Sequence, residues 1–153
     1  MESEAELHRL SEVAGTARKT AAVSLRVNPD VDARTHPYIA TGLKQDKFGI
    51  SHRDALALYR KAAALPYLRV TGIGCHIGSQ ITKVAPFVAA LDRILALVDR
   101  LHAEGIAIAH IDLGGGLGIR YRNESPPAVA DYAKAVARRL GDRSQKLIFE
   151  PGR

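Results

Sequence analysis

The chain of 153 residues carries a single cysteine, so Cys75 has no partner for an internal disulfide. A chain without disulfides fits a reducing cytoplasm, and cytoplasmic localisation is the expectation. Cys75 lies inside an apolar run and reads as a buried, inert thiol rather than a nucleophile. No apolar run reaches the ~18 residues of a membrane span. The opening Met1-Glu2-Ser3-Glu4 is acidic and has no apolar core, so no signal peptide is expected. A net charge of +6 raises the question of nucleic acid. The chain has no basic tail and no basic strand interleaved with aromatics. Its cations are spread over helical segments, as in Arg53, Arg60, Lys61, Arg93, Arg100, Arg138 and Arg139. No nucleic-acid partner is expected, and a small anionic ligand accounts for the excess equally well. The six histidines, His8, His36, His52, His76, His102 and His110, show no ligand-pair spacing with a carboxylate, so no metal site is expected.

What is present is apolar and periodic. Hydrophobic residues make up 46%, enough for one domain with a real core. Ser3 with Glu6 forms a capping box for a first helix, with Leu7, Leu10 and Ala14 inward and Gly15 stopping it. Ala21 to Val27 reads as a buried strand. A polar segment from Asn28 to Gly49 follows, too long for an ordinary connection. Ser51 with Asp54 caps a second helix, with Leu56, Tyr59 and Ala63 inward, and Leu68 to Cys75 is the next strand. Pro86 suits the first turn of a third helix, whose face is Phe87, Leu91, Ile94, Leu95, Val98 and Leu101, with Gly105 closing it. Ile106 to Ile111 is a strand. Ser125 and Pro126 open a fourth helix with Val129, Tyr132, Val136 and Leu140 inward, and Lys146 to Glu150 is the last strand. Strands alternating with helices imply a parallel sheet. A (β/α)8 barrel needs eight such units and about 250 residues, so the pattern reads as a partial TIM-type barrel truncated at both ends.

Polar groups gather where the apolar runs stop. Gly114-Gly115-Gly116-Leu117-Gly118 follows the run ending at Asp112, where bare backbone can meet a phosphate. A dinucleotide fingerprint fails, because the sixth position from Gly114 is Ile119. A P-loop fails for want of Gly-Lys-Ser/Thr. A phosphate nest and a plain tight turn both remain open. His76, in His76-Ile77-Gly78-Ser79-Gln80, is either a satisfied structural residue or a ring that stacks on an aromatic ligand. Glu150 and Arg153 flank Pro151-Gly152, as either a buried ion pair or a carboxylate for a heterocyclic nitrogen with an arginine for an anion.

Arg26-Val27-Asn28-Pro29, Lys47-Phe48-Gly49-Ile50, the His76 and Gly114 motifs and Glu150-Pro151-Gly152-Arg153 occur in one order. In this the chain resembles the diaminopimelate decarboxylases, pyridoxal-phosphate enzymes on an alanine-racemase-like barrel. The resemblance implies that His76 stacks on the pyridine ring. It implies that Ser79 and the backbone of Gly114, Gly115 and Gly116 hold the phosphate. Glu150 would keep the ring nitrogen protonated and Gly152 would add a backbone contact. Arg153 would reach a substrate carboxylate or the phosphate. The implied activity converts meso-diaminopimelate to L-lysine and CO2 in a cytoplasmic homodimer. Other basic amino-acid decarboxylases of the group, or a non-catalytic binder of pyridoxal phosphate or another anion, are the alternatives.

The departures define the expected extent. No lysine here matches the family's Schiff-base lysine, and Lys47 belongs to another motif. The family's C-terminal β-domain, with the cysteine and tyrosine that complete the partner's site, has no counterpart. Residues 1–153 are therefore expected to be the central part of the cofactor-binding barrel, without a catalytic residue of their own and inactive alone.

Overall fold

The computed structural model describes residues 1–32 and 48–152. Lys47 and Arg153 lie outside the described residues. Elements follow in the order α1 (Glu4–Thr16), β1 (Ala21–Asn28), β2 (Ile50–Ser51), α2 (His52–Ala64), β3 (Leu68–Gly74), α3 (Ala85–Ala103), β4 (His110–Asp112), α4 (Val129–Leu140) and β5 (Lys146–Ile148). The strands form one wholly parallel sheet in the order β2-β1-β3-β4-β5. β2 adds to one edge of β1, while β3, β4 and β5 add in turn on its other side, reached through α2, α3 and α4. This is the winding of a barrel, here an open arc of five strands.

The helices form where their sequence signals stand. Ser3 and Glu6 make the capping box, and the Ser51 side chain accepts the Asp54 N–H. Pro86 occupies the first turn of α3, and all six residues expected on its inward face are buried. Alternate strand residues Val23, Leu25, Val27, Ile73 and Ile111 join that face and α2 in one core. Tyr59 of α2 is fully buried, with its hydroxyl donating to the Gly72 carbonyl at 2.9 Å. Desolvation raises its pKa far above the usual phenol range.

Several boundaries differ from the sequence reading. The helix α1 runs through Gly15 to Thr16. The alanine buried near the end of α2 is Ala62, not Ala63, which is exposed. β4 is three residues long, because the first residues of its run close α3 instead: the Ile106 N–H still bonds the Leu101 carbonyl. The helix α4 starts at Val129 rather than Ser125. Pro126 and Pro127 each push the preceding residue toward extended backbone, and Val129 is exposed. β5 ends at Ile148, although the Glu150 N–H still bonds the Gly114 carbonyl. Two strand positions were not anticipated. Ile50–Ser51 pairs with Val27 and Asn28. Met1 donates its N–H to Ser24 and accepts from the Arg26 N–H, a parallel-ladder position beside Leu25.

Candidate functional site

The sheet face away from the core carries Ser24, Arg26, Gly74 and Asp112. With Met1, Glu2, Phe48, Cys75, His76 and Glu150 they line a cleft of about 610 Å³ at the C-terminal ends of the strands. Polar groups collect there because strand ends free the backbone from the ladder.

Asp112 closes β4 and its Oδ1 accepts the Gly114 N–H at 2.8 Å, which turns the chain into the glycine loop. Three glycines have no substitute: a Cβ on Gly114, at φ +66°, would stand 2.6 Å from the Cys75 carbonyl oxygen. A Cβ on Gly115 would stand 2.2 Å from the Glu150 carbonyl oxygen, and one on Gly116, at φ +94°, would stand 1.9 Å from that of Gly78. The loop is therefore pressed between the segments after β3 and β5. The Gly116 N–H bonds the Gly152 carbonyl at 2.8 Å, and the Ile81 N–H bonds the Gly116 carbonyl at 2.9 Å. The Gln80 side chain pairs with both backbone groups of Ile119.

His76 is half-buried beside this loop. Its Nδ1 accepts the Gly115 N–H at 3.3 Å, which places the ring proton of the neutral tautomer on Nε2. Burial holds its pKa below the usual 6.5, and the Arg26 charge adds to this against the opposing pull of Glu150 and Asp112. The site thus holds a neutral, planar imidazole at pH 7. Cys75 is a different case. Burial, with Asp112 nearby, pushes its thiol up to about 12, so it is the structural residue its sequence context suggested.

The structure brings His76 and Glu150 into one cleft, and the glycine loop adjoins it through the Gly115–His76 bond. Gly114, Gly115 and Gly152 also border a second, apolar cavity of about 590 Å³, together with Leu117, Tyr132 and Phe149. Ser79 sits on the loop after His76, outside both linings. The amides of Gly114, Gly115 and Gly116 have partners in Asp112, His76 and Gly152, the Gly115 bond being the longest at 3.3 Å. Sequence reasoning did not select Arg26, Asp112 or Glu2. Asp112 carried a usable signal, as a carboxylate ending an apolar run directly before three glycines. Arg26 carried one too, as the cation within an alternating apolar strand. Among the described residues, no group of His, Cys, Asp and Glu is placed to hold a metal ion, and no helix is long and apolar enough to cross a membrane.

A barrel arc with a neutral imidazole, a carboxylate and a glycine loop at its strand ends defines a cofactor-binding α/β domain. Residues 1–153 match the family described as pyridoxal-dependent decarboxylase, pyridoxal binding domain, and the chain belongs to that family. Within it the chain is similar to diaminopimelate decarboxylases. It is 58% identical over 153 residues to that of Pseudomonas aeruginosa, covering 100% of this chain and 37% of the relative. It is 62% identical over 145 residues to that of Pseudomonas fluorescens, covering 95% and 35%. The crystal structure of the Helicobacter pylori diaminopimelate decarboxylase complexed with L-lysine superposes with a TM-score of 0.94 at 36% identity, over 99% of this chain and 38% of that one. The chain spans a little over a third of the length of these relatives.

Proposed function

We propose that this chain is the central part of the cofactor barrel of a diaminopimelate decarboxylase, holding pyridoxal 5'-phosphate for the conversion of meso-diaminopimelate to L-lysine and CO2. The observation that carries the reading is the meeting of His76 and Glu150 in one cleft beside a glycine loop that tolerates no side chain. Identity of 58% across the whole chain to a diaminopimelate decarboxylase supports the substrate. The Helicobacter pylori relative was solved with L-lysine, the proposed product.

The residues fit the cofactor's chemistry. The neutral imidazole of His76 offers a flat apolar face for a heteroaromatic ring. Glu150 is exposed at the cleft, and its carboxylate is the natural partner for a protonated ring nitrogen. The backbone of Gly114, Gly115, Gly116 and Gly152, with the Ser79 hydroxyl, is the proposed phosphate cradle. Gly115 is its natural first donor, since its present bond to His76 is long. Arg153 is proposed to hold the phosphate or a substrate carboxylate. When bound, the cofactor supplies an electron-withdrawing ring that takes up the electron pair released as CO2 leaves. Glu150 sustains that capacity by keeping a proton on the ring nitrogen, and His76 excludes water from one face.

The lysine that links the cofactor and the cysteine contributed by a partner subunit are proposed to lie outside these residues. The chain alone is then inactive. The whole enzyme is proposed to be a cytoplasmic homodimer that binds an amino acid and neither nucleic acid nor membrane. The test is a calorimetric titration of the chain with pyridoxal 5'-phosphate, paired with the His76→Ala variant. Saturable binding that weakens in the variant is the expected result. A wild-type chain that binds no cofactor would overturn the reading.

A further inference from the structure

One wall of the cleft is built by residues that the reading above leaves unused. Arg26 enters from β1, and its Nη1 donates to Glu2 Oε1 at 2.9 Å. The pair is partly shielded, with side chains 29% and 38% exposed. Glu2 Oε2 accepts the Gly49 N–H at 3.2 Å, and the Phe48 ring centroid lies 5.5 Å from the Arg26 guanidinium carbon. Three segments distant in sequence therefore converge on one guanidinium. Among the described residues, Glu2 is its one hydrogen-bond partner, and a guanidinium has further donors at Nε and Nη2. A clamped cation with donors to spare, lining a cleft, is suited to a planar or carboxylate oxyanion.

Its place in the sheet narrows the choice. β3 separates β1 from β4, so the Arg26 backbone stands roughly 10 Å from the glycine loop at ~4.8 Å per strand. A pyridoxal ring held at its nitrogen by Glu150 and at its phosphate by the loop has two polar groups left, the aldehyde, where an amine condenses, and beyond it the phenolic oxygen, which lies on the edge away from the phosphate and is the one that carries negative charge for a guanidinium to meet.

We propose that Arg26 is an oxyanion-holding residue of this cleft, aimed by Glu2 and Phe48 as positioning residues. The inference rests on the pyridoxal-binding reading. The oxygen is that of the ring phenol or of an amino-acid carboxylate bound beside it. Arg26 lines the cleft with His76, Asp112 and Glu150, and its charge adds to the burial that keeps that imidazole neutral.

The test titrates the chain and its Arg26→Gln, Arg26→Lys and Glu2→Gln variants. The probes are pyridoxal 5'-phosphate, its 3-O-methyl ether, and L-lysine in the presence of the cofactor. The His76 titration is followed by NMR in each variant. Arg26→Gln is expected to weaken pyridoxal phosphate about tenfold or more. It should leave the ether unchanged and raise the His76 midpoint. Arg26→Lys should restore part of the affinity, and Glu2→Gln should lose less than Arg26→Gln. Loss of L-lysine binding alone would assign the oxygen to the substrate carboxylate and uphold the oxyanion role. Unchanged binding of both by Arg26→Gln, with a raised His76 midpoint proving that the charge was removed in place, would overturn the role and leave the pyridoxal reading standing. A wild-type chain that binds neither probe would overturn that reading and this inference with it.

Discussion

The two faces of the same sheet obey opposite rules. Toward the helices, Val23, Leu25, Val27, Ile73 and Ile111 are buried, and their neighbours are aliphatic or aromatic. Toward the cleft, the same strands present Ser24, Arg26, Gly74 and Asp112. Adjacent residues such as Leu25 and Arg26 differ only in which way the pleat turns them. The helix face needs volume and dryness. The cleft face needs charge, bare backbone and room. The period-2 alternation lets one strand serve both, so stability and chemistry are separable by single substitutions.

The largest expected effect lies on the helix face. Leu25 is fully buried in the core. Leu25→Ala should cost about 2–5 kcal/mol by urea denaturation, from lost transfer energy and the cavity left behind. Ser24→Ala, one residue away on the cleft face, should change stability by less than about 0.5 kcal/mol. Equal losses at the two positions would break the distinction between the faces.

The mirror experiment is Glu150→Gln, measured in the decarboxylase that this domain is proposed to serve. The variant keeps shape and hydrogen bonding but removes the charge that sustains a ring proton. Groups of this kind contribute about 10²–10⁴-fold, so kcat should fall at least about 10²-fold while KM changes little. Domain stability should stay within about 0.5 kcal/mol of wild type. A rate near wild type would return Glu150 to a structural role.

How much of this was legible in the sequence follows from the same alternation. The helices α1, α2 and α3 and the strands β1 and β3 were readable because their apolar periods are long and their caps are local. His76 and Glu150 were readable because polar residues that end apolar runs stand at strand ends. Glu2 was not, because it reaches the cleft only through the ladder position that Met1 takes beside β1, a contact 24 residues long for its bond to Arg26. β2 was not, because two residues carry no period. The start of α4 misled because Ser125 looks like a cap, whereas Pro127 forces the preceding residue out of helical geometry. In its place the Glu124 carboxylate accepts the Tyr121 and Arg122 N–H groups and closes a turn.

A subtler contrast is in pH dependence. His76 on the cleft face has its pKa held below 6.5 by burial first and Arg26 second. The unfolded chain therefore takes up a proton at a higher pH than the folded one. The stability contributed is full above about pH 6.5, declines below it, and is lost as pH falls through the folded-state value. His76→Gln should flatten the slope of stability between pH 7 and 5 in urea titrations. An unchanged slope would mean that His76 is not the group being kept neutral.

The smallest effect is expected on the rim of the helix layer. Ion pairs at the surface tie α1 to α2 through Glu4 and Lys61, α3 to α4 through Asp92 and Arg139, and α3 to the turn after α4 through Asp99 and Arg143. The last is bidentate, at 2.6 and 2.7 Å, and holds the Asp99 carboxyl below the usual carboxylate range. A depressed carboxylate pKa contributes above its unfolded value, near pH 4, and is lost as pH falls through the folded one. Solvent screening discounts that contribution, because the Asp99 side chain is 57% exposed and that of Arg143 34%. Arg143→Gln should therefore cost less than about 1 kcal/mol at low salt and less still at high salt, with cofactor binding unchanged. A loss as large as that of Leu25→Ala, persisting in high salt, would show that charge as well as apolar packing secures the helix face, and the division between a dry face for folding and a charged face for chemistry would have to be abandoned.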